Sequence, residues 1–96
     1  MQTNIHTIRR YIRFYGSVQS VGFRYYARKA ADLYGATGWV RNEYDGSVSM
    51  EIQGTQQQID DVIDGIQRGT YIRIDYMDTK PLAVIPDERG FSVRYH

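Results

Sequence analysis

The amino-acid sequence predicts an α+β sandwich, a mostly antiparallel sheet of five strands with two helices packed on one face. Three observations predict it: two stretches with apolar residues at helical spacing, several short stretches of period two, and an Asp-Gly pair between two of the latter.

The first element, residues 8–15 (IRRYIRFY), alternates as a strand, with Ile8, Ile12 and Phe14 on one face and Arg9, Tyr11, Arg13 and Tyr15 on the other; Arg10 breaks the apolar face. Phe23, Ala27, Ala30, Ala31 and Tyr34 then recur at helical spacing, and Gly35 supplies a left-handed cap, so a helix ends near Tyr34. ATGWVRN reads as a strand and Asp45-Gly46 as a tight turn. Its partner, VSMEIQ, sets Val48, Met50 and Ile52 toward a core and Ser49, Glu51 and Gln53 toward water. In TQQQIDDVIDGIQRG, Ile59, Val62, Ile63 and Ile66 form one stripe of a second helix, with Thr55 as N-cap and Gly69 as terminator. YIRIDYMD returns to period two, KPLAVIPDERG is a connection bounded by prolines, and FSVRY is the last strand. The order β-α-β-β-α-β, plus one strand, is the split βαβ arrangement of the ferredoxin-like fold.

Ninety-six residues, 42% of them hydrophobic, make one domain, expected over residues 8–96 behind a flexible segment at 1–7. Twelve Lys and Arg against eleven Asp and Glu leave a formal charge of +1, no field for holding a polyanion. With no cysteine, and with its two histidines (His6, His96) near the chain ends, the sequence offers neither disulfide nor thiolate metal site. No apolar run approaches the ~20 residues that span a bilayer, and MQTNIHTIRR lacks the apolar core of a signal peptide. A cytoplasmic monomer is expected, without membrane, nucleic-acid, metal or cofactor partner.

The chemistry concentrates where the first strand gives way to the first helix. Residues 16–24 read GSVQSVGFR, a glycine at each end of a short loop and an arginine in the first helical turn. Amides at a helix N-terminus have no intrahelical acceptor and carry the positive end of the dipole, so an anion is their natural guest. Arg24 adds a planar fork of donors suited to phosphate. A glycine-containing loop before a helix is common and an arginine there is often only solvated, so spacing alone does not decide for a phosphate cradle. The loop is not a Walker phosphate loop, since no Lys-Ser/Thr pair follows to hold magnesium.

GSVQSVGFR resembles the acylphosphatase signature G-x-V-Q-G-V-G-F-R, and GWVRN, residues 38–42, resembles that family's second block, in family order and spacing. DGSV, Gly35 and FSVRY match the following hairpin, the end of the first helix and the last strand, so the resemblance covers nearly the whole chain beyond Ile8. It implies hydrolysis of small acyl phosphates to a carboxylate and inorganic phosphate, without metal. Carried over, Arg24 binds the phosphate, the backbone of Gln19, Ser20, Val21, Gly22 and Phe23 cradles it, and Asn42 positions the attacking water. Ser20 departs from the family's glycine; if a positive φ is needed there, serine costs on the order of 1 kcal/mol.

The chemistry agrees with these residue types. The leaving group is a carboxylate whose conjugate acid has a pKa of ~4, so no strong general acid is required. What remains is to neutralise phosphoryl oxygens and align a water, which positioning and electrostatics supply. Without the loop, Asn42 reads as a turn residue at a strand end and Trp39 as core or sheet-surface packing. Arg9, Arg10 and Arg13 read as solvated or paired with acids. Two alternatives stand beside hydrolysis. One is a catalytically weakened relative that binds phosphate or carbamoyl phosphate. The other is an RNA-binding module of the same strand order, against which stand the polar third strand and the missing R/K-G-F/Y-G/A-F-V-x-F/Y string.

Overall fold

A computed structural model describes residues 6–95; residues 1–5 of the expected flexible segment 1–7, together with His96, lie outside the described residues. The elements follow the expected order: β1 (Ile8–Ser17), α1 (Phe23–Tyr34), β2 (Thr37–Asn42), β3 (Val48–Gly54), α2 (Gln56–Ile66), β4 (Arg73–Leu82) and β5 (Phe91–Arg94). The five strands lie in the order β4-β1-β3-β2-β5. The β2–β5 pair is parallel and the other three are antiparallel, so the sheet is mixed. Among the described residues no helix is long and apolar enough to cross a membrane.

The local signals act as their chemistry dictates. Gly35 caps α1 in the left-handed region and donates to Ala31 O. Thr55 and Gln58 cap α2 reciprocally, the Thr55 hydroxyl accepting from Gln58 N and the Gln58 side chain from Thr55 N. Ile12, Phe14, Val40, Val48, Met50 and Ile52 from the sheet meet Phe23, Ala27 and Ala31 of α1 and Ile59, Val62 and Ile66 of α2 in one core. Each large member contributes about 1.5–3 kcal/mol by leaving water. The helices approach closely because their contact is small: a Cβ on Gly65 would lie 2.8 Å from the Ala30 side chain.

Gly38 lets β2 lie tight against β3. Its φ is +136°, and a Cβ there would meet Glu51 O at 1.9 Å, backbone that cannot swing aside. Gly38→Ala is expected to cost about 3 kcal/mol in equilibrium urea unfolding. A loss below about 1 kcal/mol would mean that the β2–β3 ladder relaxes around a methyl group.

Two expectations change. The strand β4 runs on through Lys80 and Pro81 to Leu82, into the stretch expected as connection. Proline is tolerated because β4 is an edge strand, where a missing N–H breaks no second ladder. The polar face of β3 is also not wet: Ser49 is fully buried and Gln53 is 8% exposed. The connection after β4 folds back over it, with Gln53 accepting from Ile85 N and donating to Ile85 O, 2.9 Å each. Arg9 is paired, as one expectation had it, yet it is buried, held by Glu51, Gln53 and Glu88. Burial pushes the Glu88 carboxyl up, but hydrogen bonds from Arg9 and Thr37 and the charge of Arg9 outweigh it and hold the group below its ordinary value. On this face Trp39 packs between Arg41 and Arg94, whose guanidinium carbons lie 5.0 and 4.7 Å from its ring centre.

Candidate active site

The site begins with a break in β1. Between Tyr15 and Gly16 the pairing with β4 shifts register, and Gly16, at φ +135°, carries the chain past Arg73 O, which a Cβ would meet at 2.2 Å. The chain then turns through the loop to α1. Val18 is buried in the core, and the Phe23 ring packs 4.9 Å from that of Phe14, so both ends of the loop are anchored by apolar contact.

Between these anchors the backbone is unusual. Ser20 has φ +61° and Gly22, the N-cap of α1, has φ +86° and ψ 12°. Glycine supplies no capping side chain, and no acid stands in the first turn. The first intrahelical bond is Tyr26 N to Gly22 O, so the amides of Phe23, Arg24 and Tyr25 have no intrahelical acceptor. The helix therefore opens with free donors and the positive end of its dipole.

Two side chains complete the arrangement. The Arg24 guanidinium lies over the Tyr95 ring, 4.9 Å from its centre, and among the described residues forms no ion pair. Asn42 ends β2 in the cross-strand row of Phe14 and Val48, and hence on the sheet face that carries the helices. Ser20, Gly22, Phe23, Arg24 and Asn42 share one cavity of about 590 Å³. Gln19, Arg24, Asn42 and Tyr95 share a second, adjoining one of about 390 Å³. Of the predicted site residues, Val21 lines neither.

Sequence reasoning placed Gln19 in the loop for its backbone alone, missing its side chain, and missed Tyr95. The Gln19 side chain donates to Glu43 O at 2.6 Å and Ser47 O at 2.8 Å, bracing the loop against the hairpin that carries Asn42. Its acceptors are 24 and 28 residues away, beyond any local pattern. Tyr95 reads in sequence only as an alternating strand residue, and its position over Arg24 follows from the parallel docking of β5 on β2.

The acids nearby are committed as carboxylates. Glu43, on the wall of the smaller cavity, is held below its ordinary value by the Ser49 hydroxyl and by Arg41, against the opposing pull of burial. Asp45 is drawn down to about 2 by the hydroxyl and amide of Ser47 and by Arg13. Such groups fix the hairpin and are poorly matched to proton transfer near neutrality.

The acylphosphatase family model matches residues 10–93, a span that includes the whole loop, Arg24 and Asn42. The chain belongs to the acylphosphatase family. It is similar to the acylphosphatase of Oceanobacillus iheyensis, 40% identical over 82 residues, which cover 83% of this chain and 90% of that one. The acylphosphatase of Geobacillus kaustophilus is 40% identical over 81 residues, 83% of this chain and 86% of its own. The crystal structure of acylphosphatase from Bacillus subtilis superposes with a TM-score of 0.82 at 26% identity, covering 92% of this chain and 99% of that one.

Membership of the acylphosphatase family sharpens the meaning of Ser20. The left-handed φ at this residue is a conformation that suits the signature's glycine and strains a serine by on the order of 1 kcal/mol. Ser20→Gly relieves that strain while adding conformational freedom to the unfolded chain, so stability is expected to move by less than about 1 kcal/mol. Turnover of benzoyl phosphate should be kept or raised. A large loss in the variant would show that the serine side chain itself takes part.

Proposed function

We propose that this chain hydrolyses small acyl phosphates to a carboxylate and inorganic phosphate by in-line attack of water, without a metal ion. The observation that supports this most is the shared cavity, lined by the start of α1 with its open amides and the Arg24 side chain and by Asn42 at the end of β2.

In this reading the phosphoryl oxygens accept hydrogen bonds from the loop and helix amides of residues 19–23 and from Arg24, whose fork spans two of them. Tyr95 lies under the guanidinium and limits its swing. Asn42 accepts a hydrogen bond from the water through its amide oxygen and donates toward the phosphate through its nitrogen, which sets the angle of attack. The water proton passes to a phosphate oxygen of the substrate. The C–O–P bridge breaks at phosphorus, and the carboxylate leaves without protonation because its conjugate acid has a pKa of only ~4. Gln19 acts on this geometry as a positioning residue, holding hairpin and loop at a set distance.

The reading takes the chain as a cytoplasmic monomer that needs no nucleic acid; a formal charge of +1 and the absence of cysteine are what support it. The test is release of carboxylate and phosphate from benzoyl phosphate, with and without a chelator, by the wild type beside Arg24→Ala. Chelator-resistant turnover that the variant lacks is the expected result. A folded wild type that binds inorganic phosphate but releases none from the substrate would overturn hydrolysis in favour of a phosphate- or carbamoyl-phosphate-binding relative. The strain at Ser20 would then be the first feature to relieve.

A further inference from the structure

The larger cavity continues past the phosphate cradle. Beyond Arg24 it is lined by exposed residues of α1, Tyr25, Arg28, Lys29 and Asp32, and by Val93 and Tyr95. Hydrolysis of an acyl phosphate at the cradle gives the groups Arg24 and Asn42 full employment and leaves Arg28 and Lys29 without a task.

Their position is specific. Arg24 and Arg28 are four residues apart on one helix, hence on one face and separated by about 6 Å of rise. The wall carries three cations, Arg24, Arg28 and Lys29, against one carboxylate, Asp32. The Arg28–Asp32 contact does not immobilise Arg28: it is 3.8 Å long, with the two side chains 61% and 58% exposed. Such exposed pairs are worth about 0–1 kcal/mol, so an anion from the cavity can compete for the guanidinium. The Lys29 ammonium stands 5.9 Å from the Tyr25 ring and forms no ion pair among the described residues.

The reaction geometry says which part of a substrate reaches them. In-line displacement sets the leaving oxygen opposite the water across phosphorus. With water at Asn42, the acyl chain points away from β2. The smaller cavity, on the Glu43 side of Arg24, holds neither Arg28 nor Lys29, whereas the larger one joins Asn42, Arg24 and Arg28. An acyl chain leaving the cradle in the larger cavity runs along α1.

We propose that Arg28, with Lys29 beside it, selects acyl phosphates whose acyl chain ends in a second anionic group, about two or three carbons beyond the scissile carbonyl. This rests on the acyl-phosphate reading of the cradle. The distal anion, carboxylate or phosphate, meets Arg28 as a charge-assisted pair, and Asp32 is released to solvent. The contact is the same in ground and transition state, so it acts on KM and leaves kcat nearly alone.

The test compares succinyl phosphate with butyryl phosphate, equal in carbon number but ending in a carboxylate or a methyl group. At low ionic strength the wild type should favour succinyl phosphate about five- to tenfold in kcat/KM, carried by KM. Arg28→Gln should bring that ratio close to one, Arg28→Lys should retain most of it, and salt above about 0.3 M should collapse it in the wild type. A 3-phosphonopropionyl phosphate arm tells the two anions apart: a larger preference than for succinyl phosphate assigns the pocket to a distal phosphate, a smaller one to a carboxylate. The ratio is its own control, because a poorly folded variant loses both substrates alike. Equal kcat/KM in the wild type, or a preference that survives Arg28→Gln, overturns the role of Arg28 while leaving hydrolysis standing. Failure to turn over any of these acyl phosphates would instead overturn the hydrolase reading, and this inference with it.

Discussion

Arg24→Ala is expected to lose detectable binding of inorganic phosphate and to lower kcat/KM for benzoyl phosphate by at least ~10³-fold. Removing one preorganised donor from a developing oxyanion costs about 10²–10³ in rate, and an arginine that neutralises a transferring phosphoryl group is worth about 10³–10⁵. Arg24 supplies both a charge and a two-pronged donor, and among the described residues no other cation lines both cavities. Fold and function separate cleanly in this variant. The side chain is half-buried, forms no ion pair among the described residues and stacks on Tyr95, so urea unfolding should shift by less than about 1 kcal/mol. Arg24→Lys keeps the charge without the fork and should recover phosphate binding further than turnover. Retained phosphate affinity in a folded Arg24→Ala would place the anion on the loop amides alone.

Asn42→Ala should have the complementary signature: kcat lower by on the order of 10²-fold or more, with phosphate affinity within about threefold of wild type. Asn42 comes from the end of β2, not from the loop, and its side chain has no hydrogen bond to the described residues that would make it a structural strut. Its replacement leaves the cradle of amides and Arg24 in place while the water loses its guide. Isothermal titration with phosphate and steady-state kinetics on the same preparation separate the two quantities. A matching fall in affinity and turnover would show that Asn42 holds phosphate rather than water, and the division of labour between the two residues would fall.

Much of this was legible without coordinates, for reasons that differ by element. The helices declare themselves because Ile59, Val62, Ile63 and Ile66, or Ala27, Ala31 and Tyr34, recur at the spacing of one face, and because Gly35 and the Thr55–Gln58 box mark their ends by local chemistry. The hairpin is legible from Asp45-Gly46 for the same reason: Gly46 takes φ +93° and Asp45 bonds Ser47 two residues on. The limit of β4 was not legible, since a proline within a strand is allowed or forbidden according to whether the strand lies at an edge, and edge position is a property of the sheet. Nor was the burial of Arg9 and Gln53, whose partners Glu88 and Ile85 lie far along the chain, or of Ser49, whose hydroxyl meets Glu43 across the hairpin.

The sequence by itself determined the elements, their order, the family and the residues proposed to carry the chemistry, because periodicity, caps, turn residues and the two signature blocks are all written within short windows. The tertiary structure alone decided what those residues face. Only there does Tyr95 come under Arg24, Gln19 reach the hairpin, Ser20 take the left-handed conformation and Arg28 line the same cavity as Asn42. These relations join segments separated by tens of residues through sheet pairing and core packing, and the energy that sets them belongs to no single window of the chain.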